Sequence, residues 1–303
     1  MTHFMVFTTR NLKLYLRDKG AVFFSLLSMI IIIGLMTFFL GDMSVNGITS
    51  VLQSFPDRDV TTDATNALLT VLGWTCAGIL SINAVTVTLA SYSIMIKDRV
   101  EGKLGSIYTA PISRITIAAS YVASAWACSM FMCTLTLIFA EGICCAKGMT
   151  AFDLPTQLKL LGLIAVNSFT FSAIMYVLAL LSKTVGAWSG IGTVIGTLVG
   201  FLGAIYVPIG SLSGTIVAII KCTPIIYGTA LFRSIMTDSI VEQTFAGLPP
   251  EVAEEFRKSM GIDLYIGSHA VTPAEELCLL LISGMIFLSL GIVILKYSKK
   301  TDR

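Results

Sequence analysis

Six long apolar runs decide what this chain can fold into. They cover residues 21–40, 68–96, 115–140, 157–181, 187–207 and 274–296. Each is long enough for an α-helix to cross the ~30 Å hydrocarbon core of a bilayer, which takes about 20 apolar residues. Of the 303 residues 55% are hydrophobic and 13% are charged, against about 25% charged in an ordinary soluble domain. A water-soluble globule has no interior large enough for that much apolar surface. No alternation of period two recurs, and an open sheet edge cannot sit in lipid, so the spans are helical. The expected fold class is an all-α integral membrane protein forming a single transmembrane domain over residues 1–303.

Charge orients the bundle. Arg10, Lys13, Arg17 and Lys19 precede the first run. Lys97, Arg99, Lys103 and Arg114 follow the second, Lys183 lies between the fourth and fifth, and Lys296, Lys299, Lys300 and Arg303 end the chain. These are thirteen of the twenty basic residues, and fourteen of the eighteen acids fall on the other side. The positive-inside rule then puts both termini in the cytoplasm. The basic, amphipathic first twenty residues read as an interfacial helix, and the run after them is too long for a cleavable leader.

Between the spans, residues 41–67 are rich in Asp, Asn and Thr and read as an exposed loop. Residues 208–273 hold two apolar stretches too short to span, Ser211–Lys221 and Ile225–Met236, broken at Pro224. They read as re-entrant or interfacial helices on the outer side. Pro249-Pro250-Glu251 opens a small external acidic helix that runs to Met260.

Chemistry is sparse. No phosphate-binding loop of the Gly-x-x-x-x-Gly-Lys-Ser/Thr type occurs, nor a His-Glu-x-x-His zinc motif. His3 and His269 are solitary, and the seven cysteines, with the vicinal Cys144–Cys145 pair and Cys222 at membrane edges, lack metal-ligand spacing. The span interiors offer Asn83, hydroxyls and thiols rather than the ionisable groups of an ion-coupled carrier. An intramembrane enzyme finds no acid, base or nucleophile constellation here. Any pumping must therefore draw its energy from another subunit.

The segment after the second span, Lys97-Asp98-Arg99-Val100-Glu101-Gly102-Lys103-Leu104-Gly105, leads through Ile107 and Tyr108 to Ala110-Pro111-Ile112-Ser113-Arg114. It is short, charged and helix-compatible up to Pro111, with an apolar lip, and suits a peg pressed into a groove on a cytosolic partner. A solvated loop kept inside by its charge is the alternative.

This segment resembles the first cytoplasmic loop of ABC-2 type transporter permeases. Arg10–Lys19 is similar to that family's interfacial connecting helix. Val207-Pro208-Ile209, Thr223-Pro224-Ile225-Ile226-Tyr227 and Arg233 resemble its outer re-entrant hairpin between spans five and six. The resemblance implies six spans, a homo- or heterodimer with a second permease protomer, and two cytosolic ATPase subunits that hold ATP and Mg. This chain itself would carry no cofactor, metal or nucleic acid. Residues 97–114 become the coupling helix, with Asp98, Arg99, Glu101, Gly102, Ile107 and Tyr108 as its expected ATPase contacts.

By the same resemblance, spans two and five line the seam between protomers. Asn83 and Thr86 in span two and Thr193 and Thr197 in span five are the expected borders of a substrate path; ordinary packing hydroxyls are the bland alternative. Gly192, Gly196 and Gly200, four apart, form a small-residue ladder for close helix contact. The expected function is the permease subunit of an exporter in the cell membrane. Its cargo would be an amphipathic or hydrophobic small molecule or peptide, in keeping with aromatic surface at Phe23, Phe24, Phe38, Phe39, Phe201 and Tyr206, although aromatics in spans are more often lipid-facing or interfacial anchors. A membrane-embedded binding or immunity protein on the same scaffold is the second reading. Residues 237–273 are longer than the smallest family members need.

Overall fold

Backbone N–H and C=O groups in apolar surroundings must satisfy their own hydrogen bonds, and the computed structural model shows the expected outcome. It describes residues 3–35, 41–56, 58–108 and 112–297. In chain order the helices are α1 (His3–Arg17), α2 (Lys19–Leu35), α3 (Gly41–Leu52), α4 (Val60–Val100), α5 (Lys103–Tyr108), α6 (Arg114–Ala146) and α7 (Leu154–Leu181). Then follow α8 (Val185–Leu202), a 3-10 turn at Ile209–Ser211, α9 (Gly214–Lys221), α10 (Pro224–Thr244) and α11 (Pro250–Ser259). A two-stranded antiparallel hairpin, β1 (Tyr265–Ile266) and β2 (His269–Ala270), precedes α12 (Pro273–Tyr297).

Among the described residues five helices are long and apolar enough to cross a membrane: α4, α6, α7, α8 and α12. The helix α2 holds the first apolar run, and the last five residues of that run, 36–40, lie outside the described residues. Helices α9 and α10 meet at a 91° bend.

Polar side chains mark where the long helices begin. Asp59 accepts from the Thr62 amide at the start of α4, Ser113 from Thr116 in α6, Asp153 from Thr156 in α7 and Thr184 from Ala187 in α8. Such caps satisfy backbone donors that no helical carbonyl can reach. Hydrogen bonds from Thr62 and Thr61 hold the Asp59 carboxyl down at about 2.

The 41-residue helix α4 forms the axis of the bundle, its most apolar stretch 94% buried. Helices α2, α6, α7, α8 and α10 pack around it. By contrast α8 and α12 bury only 17% of their apolar stretches, leaving Val194, Leu198, Phe201, Met285 and Ile286 exposed.

Two expectations give way. Residues 41–67 are not a loop: α3 packs Ile48 and Leu52 against Trp74, Phe245 and Met260, and α4 starts at Val60. Helix α10 runs on to Thr244, eight residues past the expected Met236, and is buried along most of its length. A helix, α11, stands where the small acidic helix was expected, close to its bounds. All seven cysteines are free thiols.

Candidate functional site

The bundle has a basic end, where α4, α7 and α12 finish and α6 begins, and an acidic end opposite. The expected coupling segment lies at the basic end.

Helix α4 stops there by a glycine. The amide of Glu101 returns to Lys97 O at 2.9 Å and that of Gly102 to Arg99 O at 3.2 Å. Gly102 has φ +73°, a left-handed conformation that an L side chain adopts only at a cost of about 1–2 kcal/mol. A Cβ there would meet no atom within 4 Å, so the need for glycine is conformational and not steric. The chain then turns into the six-residue α5.

Asp98 and Arg99 do not present themselves to a partner as the sequence suggested. Asp98 is 3% exposed. Its two oxygens accept from Arg10 at 2.7 and 2.9 Å, and Oδ2 also accepts from the Tyr121 hydroxyl at 2.6 Å. One carboxylate thereby joins α1, α4 and α6. The fork-to-fork geometry is the strong form of ion pair, and the Asp98 hydrogen bond raises the Arg10 pKa. Arg99 reaches across to α7, where Nη1 donates to Ser182 O at 2.7 Å and Ala179 O at 3.2 Å. A guanidinium over the last carbonyls of a helix meets both its open acceptors and the negative end of its dipole. Both residues root the turn in the bundle.

What remains outward is the turn itself. Glu101 and Lys103 form an ion pair on its surface and are more than half exposed. Glu101 raises the Lys103 pKa through that hydrogen bond. Gly105 is exposed with no atom within 4 Å of a Cβ position, whereas Leu104 is buried beneath. The placement of the Ile107 and Tyr108 side chains lies outside the described residues.

The expected path residues are not gathered in one place. Asn83 is 4% exposed: its amide donates to Thr136 at 2.6 Å and accepts from Ser25 at 3.2 Å, locking α2, α4 and α6. The half-buried Thr86 hydroxyl returns to Asn83 O. Thr193 and Thr197 lie on the exposed side of α8 and bond within their own helix. Nor do the three ladder glycines share one contact. Gly192 faces Leu89, a Cβ on Gly200 would sit 2.2 Å from the Tyr206 ring, and Gly196 is open.

At the acidic end the structure reveals charged groups that span composition hid. Arg233 on α10 is fully buried. It donates to Ala204 O at 2.8 Å, Met260 O at 3.3 Å and Gly261 O at 3.4 Å, and its guanidinium carbon lies 4.0 Å from the centroid of the Trp74 ring. The Trp74 indole N–H donates to Met260 O as well, at 2.7 Å. Arg58 holds Asp63 in a two-pronged pair and caps Thr244 O and Ala246 O. Glu276, in the first turn of α12, is 3% exposed. Arg233 was visible in the sequence as part of a motif, but its burial was not.

No curated protein matches this chain. The family model for ABC-2 family transporter proteins matches residues 48–293, most of the sequence and every spanning helix from α4 to α12. With an axis of buried helices, exposed flanking spans and a rooted turn at the basic end, this match identifies the chain as a multi-pass membrane protein that belongs to the ABC-2 transporter family.

Proposed function

We propose that the chain is the permease subunit of an ATP-driven exporter, working as a dimer on two separate ATPase subunits. The basic end faces the cytoplasm in this reading, with both termini there, and α1 lies along the membrane surface. Helices α9 and α10 form a re-entrant hairpin on the outer side. A second protomer covers the exposed apolar and small-residue face of α8, and the cargo is an amphipathic or hydrophobic molecule moved outward along that seam.

One observation carries the reading: an exposed turn stands on a root tied to three helices. A push on α5 or Glu101 reaches α4 directly, α1 and α6 through Asp98, and α7 through Arg99. A loop held inside the cell only by its charge needs no such root.

The test is a double substitution on the outward surface, Glu101→Lys with Gly105→Trp, co-expressed with the ATPase subunit that the parent chain co-purifies with. Neither site has internal packing to disturb. The variant should insert and melt like the parent yet lose ATPase co-purification and cargo-stimulated hydrolysis. Parental stimulation from that variant would overturn the assignment of this turn. The second reading, binding without transport, gains support from no particular observation.

A further inference from the structure

At the acidic end, between α9, the 3-10 turn and α11, lies a cavity of about 500 Å³. That is within the range of sites that enclose small molecules. Its apolar lining comes from Ile209, Val217 and Leu264, and Tyr265 contributes an aromatic wall. Around these stand four carboxylates and two ammonium groups.

Their pairing is uneven. Lys221 donates to the Tyr265 carbonyl, and Lys258 Nζ lies 4.9 Å from the Tyr265 ring centroid. Both lysines are thus engaged by one tyrosine. Asp263 is taken by Arg257 in two hydrogen bonds of 2.7 and 2.9 Å, and Glu254 accepts from the Tyr265 hydroxyl at 3.1 Å. Glu251 and Glu255, one turn apart on α11, have no hydrogen bond or ion pair among the described residues. Two open carboxylates therefore face a partly apolar pocket in which four carboxylates outnumber two ammonium groups, both of the latter held against Tyr265.

The walls are fixed before any ligand arrives. Gly210 passes so close to α11 that a Cβ would sit 2.9 Å from Ser259, and Arg233 with Trp74 pins the adjoining Met260 carbonyl. Arg257 joins α11 to both Asp238 and Asp263. An anion would be repelled by the unneutralised carboxylates. A bare metal ion is poorly served, because no three His, Cys, Asp or Glu side chains among the described residues converge to hold one.

We propose that this cavity binds an amphipathic organic cation, its ammonium directed to Glu251 and Glu255 and its apolar body against Ile209, Val217 and Leu264. Such a ligand gains Coulomb attraction at the rim and burial at the base, which neither a neutral nor an anionic analogue obtains together. The site goes beyond the transport reading and stands without it, because binding here requires no ATPase.

The experiment uses the full chain in phosphatidylcholine nanodiscs, with empty discs subtracted. Calorimetric titration compares tryptamine with neutral 3-ethylindole and anionic indole-3-propionate. Tryptamine should bind about tenfold more tightly than either analogue, and added salt should narrow that gap. Glu251→Gln with Glu255→Gln should erase the preference, while Glu242→Gln, outside the cavity, should keep it. Equal affinity for tryptamine and 3-ethylindole, no signal above empty discs, or an unchanged preference in the double variant would each overturn the proposal. Should the double variant fail to fold, the three-probe comparison on the parent still decides.

Discussion

At the basic end Arg10 meets a carboxylate on another helix, whereas at the acidic end Arg233 meets only backbone carbonyls and an indole ring. The first arrangement couples side chains that can be exchanged, and one member, Arg10, is 32% exposed on its side chain. The second binds a fully enclosed cation to three points of main chain from two segments beyond its own helix. Charge is used at one end as a joint between helices and at the other as a clamp on loops. The difference teaches where movement is expected: across the joint, and not within the clamp.

Breaking the clamp should have the largest effect. Arg233→Ala removes the bulkiest fully buried side chain among the described residues, empties its volume and takes a donor from three carbonyls, of which Met260 O alone keeps the Trp74 indole, a combination expected to cost about 4 kcal/mol or more. Thermal melting in nanodiscs measures it, and a loss smaller than that of the next variant would erase the contrast. Asp98→Ala leaves the Arg10 guanidinium and Tyr121 hydroxyl without their acceptor. It should cost about 3 kcal/mol, less than a wholly enclosed pair because Arg10 still reaches water. Its added signature is functional: the ATPase should still bind, but cargo should no longer stimulate hydrolysis.

The smallest effect sharpens the comparison at an exposed cap. Asp59 is held at about 2, below its unfolded value near 4, so its folded carboxylate is favoured at neutral pH. That contribution is present above pH 4 and is lost as pH falls through 2. The melting difference between Asp59→Ala and the parent should therefore shrink from pH 4 to pH 2; a constant difference would assign the cap no charge dependence.

The spans were legible because solvent imposes them: twenty apolar residues have few alternatives. Helix α3 was harder to read, since only Val45, Ile48 and Leu52 carry its apolar side amid Gly, Asn, Ser and Thr. Helix α10 was cut short because Asp238 and Glu242 look like a return to water, yet the helix continues through both and Asp238 pairs with Arg257 of α11. The turn after α4 stood out by its charges, but the inward facing of Asp98 did not, because its partner is 88 residues away. Arg233 was read as part of a motif, but its burial was not, because its partners are carbonyls that leave no mark in the sequence.

Helix α4 has one more consequence. At 1.5 Å per residue its 41 residues make a rod of about 60 Å, twice the thickness of the hydrocarbon layer. A tilt of about 5° at its foot carries its far tip some 5 Å sideways by simple leverage over that length, roughly the pitch of one helical turn. Trp74 lies 26 residues from that foot, about 39 Å along the rod, so the same rocking at the basic end carries the Trp74–Arg233 clamp sideways as a unit by roughly 3 Å.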